Sequence, residues 1–430
     1  MIGLFIFSIY CAIILAIMPV SDIILYCAVF ASVYVQVFFL MSFFEKKNLL
    51  GAYKPLKGDE KDLPSITFLV PCWNEEGTID NTVRSLKDLS YPKDKFFIYL
   101  IDDGSKDNTW NVMKGYENDP MVKIFKKENG GKHTALNFAL PHVTTDLVAS
   151  FDADTTINQD ALYKIIPYFM KDKDLSAVGG SVLIKSPKTI AQRAQSIEYQ
   201  MFSFTKKVLG LLGGVLVVPG AFSVFSPKPL LEVGGWHLGH GLEDLELTYR
   251  MQVKGYKVEH CHSAIAFTTG PKTVKKLFKQ RLRWGYGFLN NTFDYRFAFL
   301  NKKFGNFGIF TLPMSLMSYI IIMSVFAVSW YHIILFLYDQ FLIFSLVGFE
   351  GFHVSAFSWF YTNTKAIVFL TLITLIFFIT NIILGRMISN VKRKGILNVI
   401  YFFVLYSLIV PFWVIRSVWN AINQARPAWR

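Results

Sequence analysis

Two kinds of hydrophobic pattern divide the chain. Runs of about 20 apolar residues, the length that crosses a hydrocarbon core, lie at 1–20 and 23–44 near one end, and at 309–338, 367–384 and 396–419 near the other. The turn-like PVSD between the first two predicts a membrane hairpin. The first run has no basic leader and no small-residue cleavage site, and a second span follows it directly, which argues against a removable signal. The segment 341–360 is apolar but carries Glu350, His353 and two glycines, so it is expected to form an outer loop or an interfacial segment. Pro411 and Arg416 interrupt the last run. The run could form a full span, but a proline-broken re-entrant hairpin would return the basic tail ARPAWR to the side that its charge favours.

From residue 65 the pattern becomes short apolar runs, polar turns and amphipathic stretches in alternation. The runs at 66–73, 96–103, 122–127 and 146–154 predict strands, most of them buried on both faces. The stretches at 77–89, 107–117, 133–140 and 159–171 predict the helices between them. Such alternation implies an α/β domain with a mostly parallel sheet covered by helices. In that architecture ligands bind beyond the carboxyl ends of the strands. A later stretch, 190–212, mixes apolar and basic positions as an interfacial helix does.

Composition narrows the partners. Hydrophobic residues make up 53% of the chain and charged ones 17%, an imbalance carried by the two ends. The net charge of +13 is spread over dispersed lysines and arginines with no nucleic-acid module among them, which points away from nucleic acid and towards membrane lipids and anionic substrates. Cys11, Cys27, Cys72 and Cys261 have no CxxC spacing and imply neither zinc nor a disulfide framework. The basic flanks EKKN after residue 44 and GRMISNVKRKG after residue 384 place residues 46–306 on the cytoplasmic side of a multi-pass cell-membrane protein.

The candidate chemistry sits where the strands end. Asn74 and Glu75 follow the first run, Asp102 and Asp103 the second, and Asp152 and Asp154 the fourth. Singly, each is as well explained by a turn or a helix cap; convergence at one sheet edge favours a site. In FDAD, two carboxylates spaced i, i+2 offer oxygen donors suited to Mg2+ or Mn2+. GGKHTALN places a glycine pair and Lys132 at a helix start, an arrangement that attracts phosphate or is simply a loop with an exposed lysine. In GLEDLELTYR, Glu243 and Asp244 are either acids complementing a helix dipole or the site of a general base. KQRLRWGYGF has the composition of an interfacial basic helix, with Lys279 and Arg281 able to reach headgroups while Gln280, Arg283 and Trp284 share one face at i, i+3 and i+4.

Taken in order, PCWNE, IDDGS, GGK with ALN, FDAD, VPGAF, LED and QRLRW resemble the membrane-bound family 2 glycosyltransferases. The likeness is greatest to the processive synthases of poly-N-acetylglucosamine, chitin, hyaluronan and cellulose. It implies a GT-A type domain with a mostly parallel central sheet, inserted between transmembrane helices and accompanied by amphipathic interfacial helices. The expected boundaries are 1–45 for a two-helix hairpin, 46–270 for the catalytic domain, 271–306 for an interfacial region with Q-x-x-R-W, and 307–430 for the remaining membrane part.

The resemblance also assigns roles. Pro71, Asn74, Glu75 and Asp103 would hold the uridine of a UDP-sugar, with Lys132 near its ribose or phosphate. Asp154, together with Asp152, would bind the divalent metal on the diphosphate. Gly220 and Ala221 would line the sugar and acceptor pocket, although PGA alone is as well read as a turn. Asp244 would be the base, with Glu243 beside the acceptor, and Gln280, Arg283 and Trp284 would contact donor phosphate and acceptor. The implied reaction is one in-line displacement that converts an α-linked donor into a β-linked polymer, with UDP-GlcNAc the first candidate and UDP-glucose the next. Export of the product through the same chain, with room for accessory subunits, would follow.

Leu242 stands where many poly-N-acetylglucosamine synthases have threonine. The tail PAWR resembles segments that gate the site in related synthases, or else anchors at the interface. Two other classes compete: a non-processive transferase acting on a lipid or lipid-linked acceptor, and a non-catalytic transporter component. The retained Asp152, Asp154 and Asp244 speak against the last.

Overall fold

The computed structural model describes residues 20–46, 62–348, 366–389 and 395–427. Most of the first apolar run, most of the 341–360 segment, and Trp429 and Arg430 of the tail lie outside the described residues. The fold has two compact units, one from Met1–Leu40 with Ser315–Thr380 and the other from Met41–Met314 with Asn381–Arg430.

After helix α1 (Val20–Glu45), the predicted alternation appears: β1 (Ile66–Cys72), α2 (Ile79–Lys87), β2 (Phe96–Asp103), α3 (Thr109–Lys114), β3 (Val122–Lys127), α4 (Lys132–Ala139) and β4 (Leu147–Phe151). Each strand falls within the apolar run that predicted it. All five positions of β4 are buried and six of seven in β1, because both faces are covered, so the strands show as continuous apolar runs rather than alternating ones. Pro71 lies near the end of central β1 without disturbing it. The ladder to β4 ends at Leu69 opposite Ser150, so the missing N–H of Pro71 costs no bond on that side.

The second half contributes β5 (Thr156–Ile157), α5 (Ala161–Lys171), β6 (Leu175–Ile184), α6 (Ile190–Leu211), β7 (Phe222–Phe225), α7 (Pro227–Glu232), α8 (Glu243–Val253), β8 (Lys257–Thr268) and α9 (Val274–Asp294). The eight strands form one sheet in the order β3-β2-β1-β4-β7-β6-β8-β5. Pairs β1–β2, β1–β4, β2–β3 and β6–β8 are parallel, and β4–β7, β6–β7 and β5–β8 antiparallel. The mostly parallel expectation holds, with an antiparallel insertion that the apolar pattern did not announce. Because β1 lies between β2 and β4, the strand order reverses there, and a crevice opens beyond the carboxyl ends.

The remaining long helices are α10 (Leu312–Val347), α11 (Ala366–Ile388) and α12 (Ile396–Ile422). Among the described residues four helices, these three and α1, are long and apolar enough to cross a membrane. At 1.5 Å per residue even the shorter ones exceed the roughly 30 Å of a hydrocarbon core. Two expectations are corrected. Helix α10 runs on to Val347, so the first residues of the segment expected to be an outer loop or interfacial segment continue the long apolar helix instead. Helix α12 passes unbroken through Pro411, so of the two readings of this run the full-length helix holds and the re-entrant hairpin favoured by the tail's charge does not. A proline removes one backbone bond, a loss that a long membrane helix tolerates when its neighbours compensate. Helix α6, the 190–212 stretch, packs on β6, β8 and α12 and is largely buried; the basic residue Lys207 is only 1% exposed, reaching Tyr168 Oη and the His260 carbonyl at 3.2 and 3.3 Å.

Candidate active site

Register brings the strand ends level. Cys72 pairs with Asp102 across β1 and β2, so the residues that follow each strand emerge together. Asn74 takes a left-handed conformation, φ +56°, which asparagine tolerates better than most residues. Its N–H donates to Ser105 Oγ at 3.0 Å, and its Oδ1 accepts the Lys106 N–H at 2.8 Å. The Glu75 N–H donates to Thr109 Oγ1 at 2.7 Å, and its Oε2 accepts from Thr78 Oγ1 at 2.7 Å. The turn after β1 is thereby tied to the turn after β2.

Asp103, expected at the uridine, is 2% exposed and turned inward. Its carboxylate takes Lys127 Nζ at 2.6 Å, the Gly130 N–H at 3.1 Å and the Gly131 N–H at 2.7 Å. In this structure it holds the glycine loop in place. Gly131, at φ +91°, then starts α4 and delivers Lys132 to the crevice.

Lys132 gathers the acids. Its Nζ lies 2.6 Å from Asp152 Oδ1 and 3.1 Å from Glu243 Oε1. Burial alone would lower its pKa, but Asp152, Glu243 and Asp244 outweigh it and push the value above the ordinary lysine range. Gly220 stands against the same group, since a Cβ there would lie 2.6 Å from Lys132 Nζ and 3.3 Å from Asp244 Oδ2. A side chain at this position would displace the lysine ammonium from its place beside the acids, and glycine leaves that place open. The antiparallel ladder of β4 and β7, with Phe151 opposite Phe222, explains the meeting: it puts Ala221 beside Asp152, whose N–H donates to the Ala221 carbonyl at 3.4 Å.

Asp244 opens α8 and is gripped by two backbone amides, Gly220 N–H to Oδ2 at 2.9 Å and Leu245 N–H to Oδ1 at 2.8 Å. Burial raises its pKa and Glu243 adds to the rise, while Lys132 and the two amides pull it back. A carboxylate so placed is more basic than one in water yet fixed in direction. The helix-dipole role remains available to it, but two acids and a lysine sharing one crevice exceed what a cap needs.

Asp154 tests the metal expectation. Burial first, then Asp152 and Glu75, push its carboxyl up to about 6. A carboxyl raised by burial and by acidic neighbours in this way fits a divalent cation, and an all-oxygen donor set suits Mg2+ or Mn2+. Among the described residues, no three His, Cys, Asp or Glu side chains form a closed ion cage. Further ligand positions would fall to substrate oxygens or water.

The Q-x-x-R-W residues lie on α9, which packs on α12 and on the loop before Asp244. Gly287 permits that approach, since a Cβ there would lie 2.6 Å from Leu242 Cγ. Gln280 Oε1 accepts from Gln195 Nε2 at 2.8 Å, while Arg283 lines a small cavity with Leu238, His240 and Tyr286. Trp284 is half-buried. Arg281, expected to reach headgroups, does not: it is 6% exposed and ion-paired with Glu198. The expectation treated the helix as solvated on both sides of its sugar face, whereas α6 covers one of them. The residues sequence reasoning missed are on α6, Gln195 and Glu198, mid-helix polar positions without any motif.

Comparison with known proteins gives the following likenesses. Residues 64–287 match the family described as Glycosyltransferase like family 2. The poly-beta-1,6-N-acetyl-D-glucosamine synthase of Staphylococcus aureus (strain MSSA476) is 32% identical over 272 residues, which are 63% of this chain and 66% of that protein. The synthase of the same name from Staphylococcus epidermidis is 30% identical over the same shares. The chain thus matches just under two thirds of the length of these relatives. Among solved structures, the mannosyltransferase PcManGT of Pyrobaculum calidifontis, in complex with GDP-Man and Mn2+, superposes with a TM-score of 0.60 at 16% identity, over 93% of this chain and 99% of that one. That likeness is one of fold.

Proposed function

Because this chain belongs to the family 2 glycosyltransferases, we propose that it polymerises a β-linked polysaccharide from a UDP-sugar and moves the product across the membrane. UDP-GlcNAc is the first donor to test and UDP-glucose the next, since the staphylococcal relatives are named as N-acetylglucosamine polymer synthases. The catalytic unit is placed on the cytoplasmic side, as the basic flanks favour. The observation that carries the reading is the meeting of Lys132, Asp152, Glu243 and Asp244 around Gly220 at the strand-order reversal.

A sugar hydroxyl is too weak an acid to attack unaided, so a base must take its proton as the new bond forms. Asp244 has the direction and the raised basicity for that step. The acceptor oxygen bonds to the anomeric carbon while its proton passes to Asp244. The bond from that carbon to the UDP oxygen breaks on the opposite face, and UDP leaves with the electron pair, so an α-linked donor gives a β-linked product. Lys132, held cationic, faces the departing diphosphate. A divalent cation on Asp154 and Asp152 would neutralise the diphosphate charge. Pro71, Asn74 and Glu75 frame the nucleoside beyond β1, and Asp103 serves indirectly by fixing the loop that presents Lys132. Gln280, Arg283 and Trp284 form the acceptor platform.

The test is release of UDP by the purified chain across a panel of UDP-sugars, followed by sizing of the product. A ladder of long β-linked chains from UDP-GlcNAc is expected. Single additions only would replace the proposal with a non-processive transferase, and no release from any donor would remove it.

A further inference from the structure

Three helices meet in a buried polar junction behind the acceptor platform. Arg281 of α9 and Glu198 of α6 form an ion pair whose side chains are 6% and 12% exposed. Tyr406 of α12 donates its hydroxyl to the same carboxylate oxygen, Glu198 Oε2, at 2.6 Å. The Arg281 guanidinium also lies over the Trp284 ring, 4.3 Å from its centroid. On either side along α6, Gln195 donates to Gln280 and Gln200 Oε1 accepts from Arg386 Nε at 3.0 Å.

Stability alone does not account for this arrangement. A buried ion pair must offset the desolvation of both charges, and apolar residues of similar volume often serve a core as well or better. What a charged, hydrogen-bonded junction adds is fixed direction. Here each bond has a defined partner: Tyr406 sets Glu198, Glu198 sets Arg281, and Arg281 sets the ring of Trp284 by a cation–π contact.

We propose that Glu198 is a positioning residue that registers the Trp284 platform to α12 through Arg281 and Tyr406. The ring that stacks on the acceptor then keeps its angle relative to a helix long enough to cross the membrane. This rests on the reading of α9 as the acceptor platform.

The test uses the 430-residue chain in detergent micelles, with Glu198→Gln, Glu198→Asp and Tyr406→Phe. Two readouts separate the inference from the reaction it serves. In transfer assays with β-linked N-acetylglucosamine oligosaccharides, Glu198→Gln is expected to raise the acceptor KM about tenfold, the equivalent of 1.4 kcal/mol, with the donor KM unchanged. Glu198→Asp, which keeps the charge, recovers part of the loss. Independently of activity, acrylamide quenching of the Trp284 fluorescence, isolated by subtraction of Trp284→Phe, should increase in Glu198→Gln and in Tyr406→Phe. The tyrosine variant removes only a hydroxyl and serves if the glutamate variant fails to fold. Unchanged quenching in both variants would overturn the link, as would an equal rise in donor and acceptor KM. If the wild type transfers nothing while quenching shifts as expected, the positioning link stands and the proposed reaction falls.

Discussion

At the sheet edge Lys132 faces Asp152, Glu243 and Asp244, with Asp154 close by. At the helix junction one guanidinium faces one carboxylate, and a phenol supplies the extra hydrogen bond. The first group is unbalanced and stays partly open, with side-chain exposures of 23% for Lys132 and 33% for Asp152. The second is balanced and closed. Excess negative charge in a half-buried crevice is unfavourable until a cation or a proton joins it, so the edge is built to receive something. The junction receives nothing, and its charges are consumed in holding helices together.

Substitutions on the two sides should therefore fail in different ways. Asp244→Asn should carry the largest effect, cutting transfer by about 10²–10⁴-fold, the usual share of a general base. UDP binding should be retained, because Asn keeps the shape and one acceptor oxygen for the Gly220 amide. Wild-type rates of UDP release would remove Asp244 as the base.

The stability contrast is the sharper comparison. Arg281→Ala leaves Glu198 buried with no cation and should cost about 3–5 kcal/mol, read as a lowered thermal transition of the solubilised chain. Asp152→Asn, at a partly exposed pair, should move that transition by about 0–1 kcal/mol or less. Equal losses in the two variants would mean that the edge and the junction are both structural.

What the sequence disclosed follows the same division. Strands β1 to β4 were legible because burial on both faces leaves unbroken apolar runs. Strand β6 was not, because Gly179 and Gly180 interrupt its pattern. The reason lies across the sheet, where a Cβ at Gly180 would fall 2.2 Å from the Phe222 ring. Strand β8 was hidden by Glu259, His260 and His262, polar for a largely buried strand. The acids of the edge were legible because they follow strands or open a helix, positions where ligands gather. Glu198 was not, since a lone acid in a mixed apolar and basic helix signals solvent until its partners on α9 and α12 are known.

A graded effect concerns protons. Asp154 is pushed up to about 6 from the 3.8 of an ordinary aspartate, by burial first and then by Asp152 and Glu75. A raised carboxyl holds its proton as pH falls through 6, and that proton competes with a divalent cation for the same oxygens. Affinity for UDP measured with Mn2+ should accordingly be flat above pH 7 and weaken below 6, approaching about tenfold per pH unit. The same titration with a chelator in place of Mn2+ should lack this component, which separates Asp154 from other groups that titrate nearby. An affinity that stays level down to pH 4 would show that Asp154 has the pKa of a solvated acid. The edge would then carry no strained charge for a cation to relieve, and its contrast with the balanced junction would disappear.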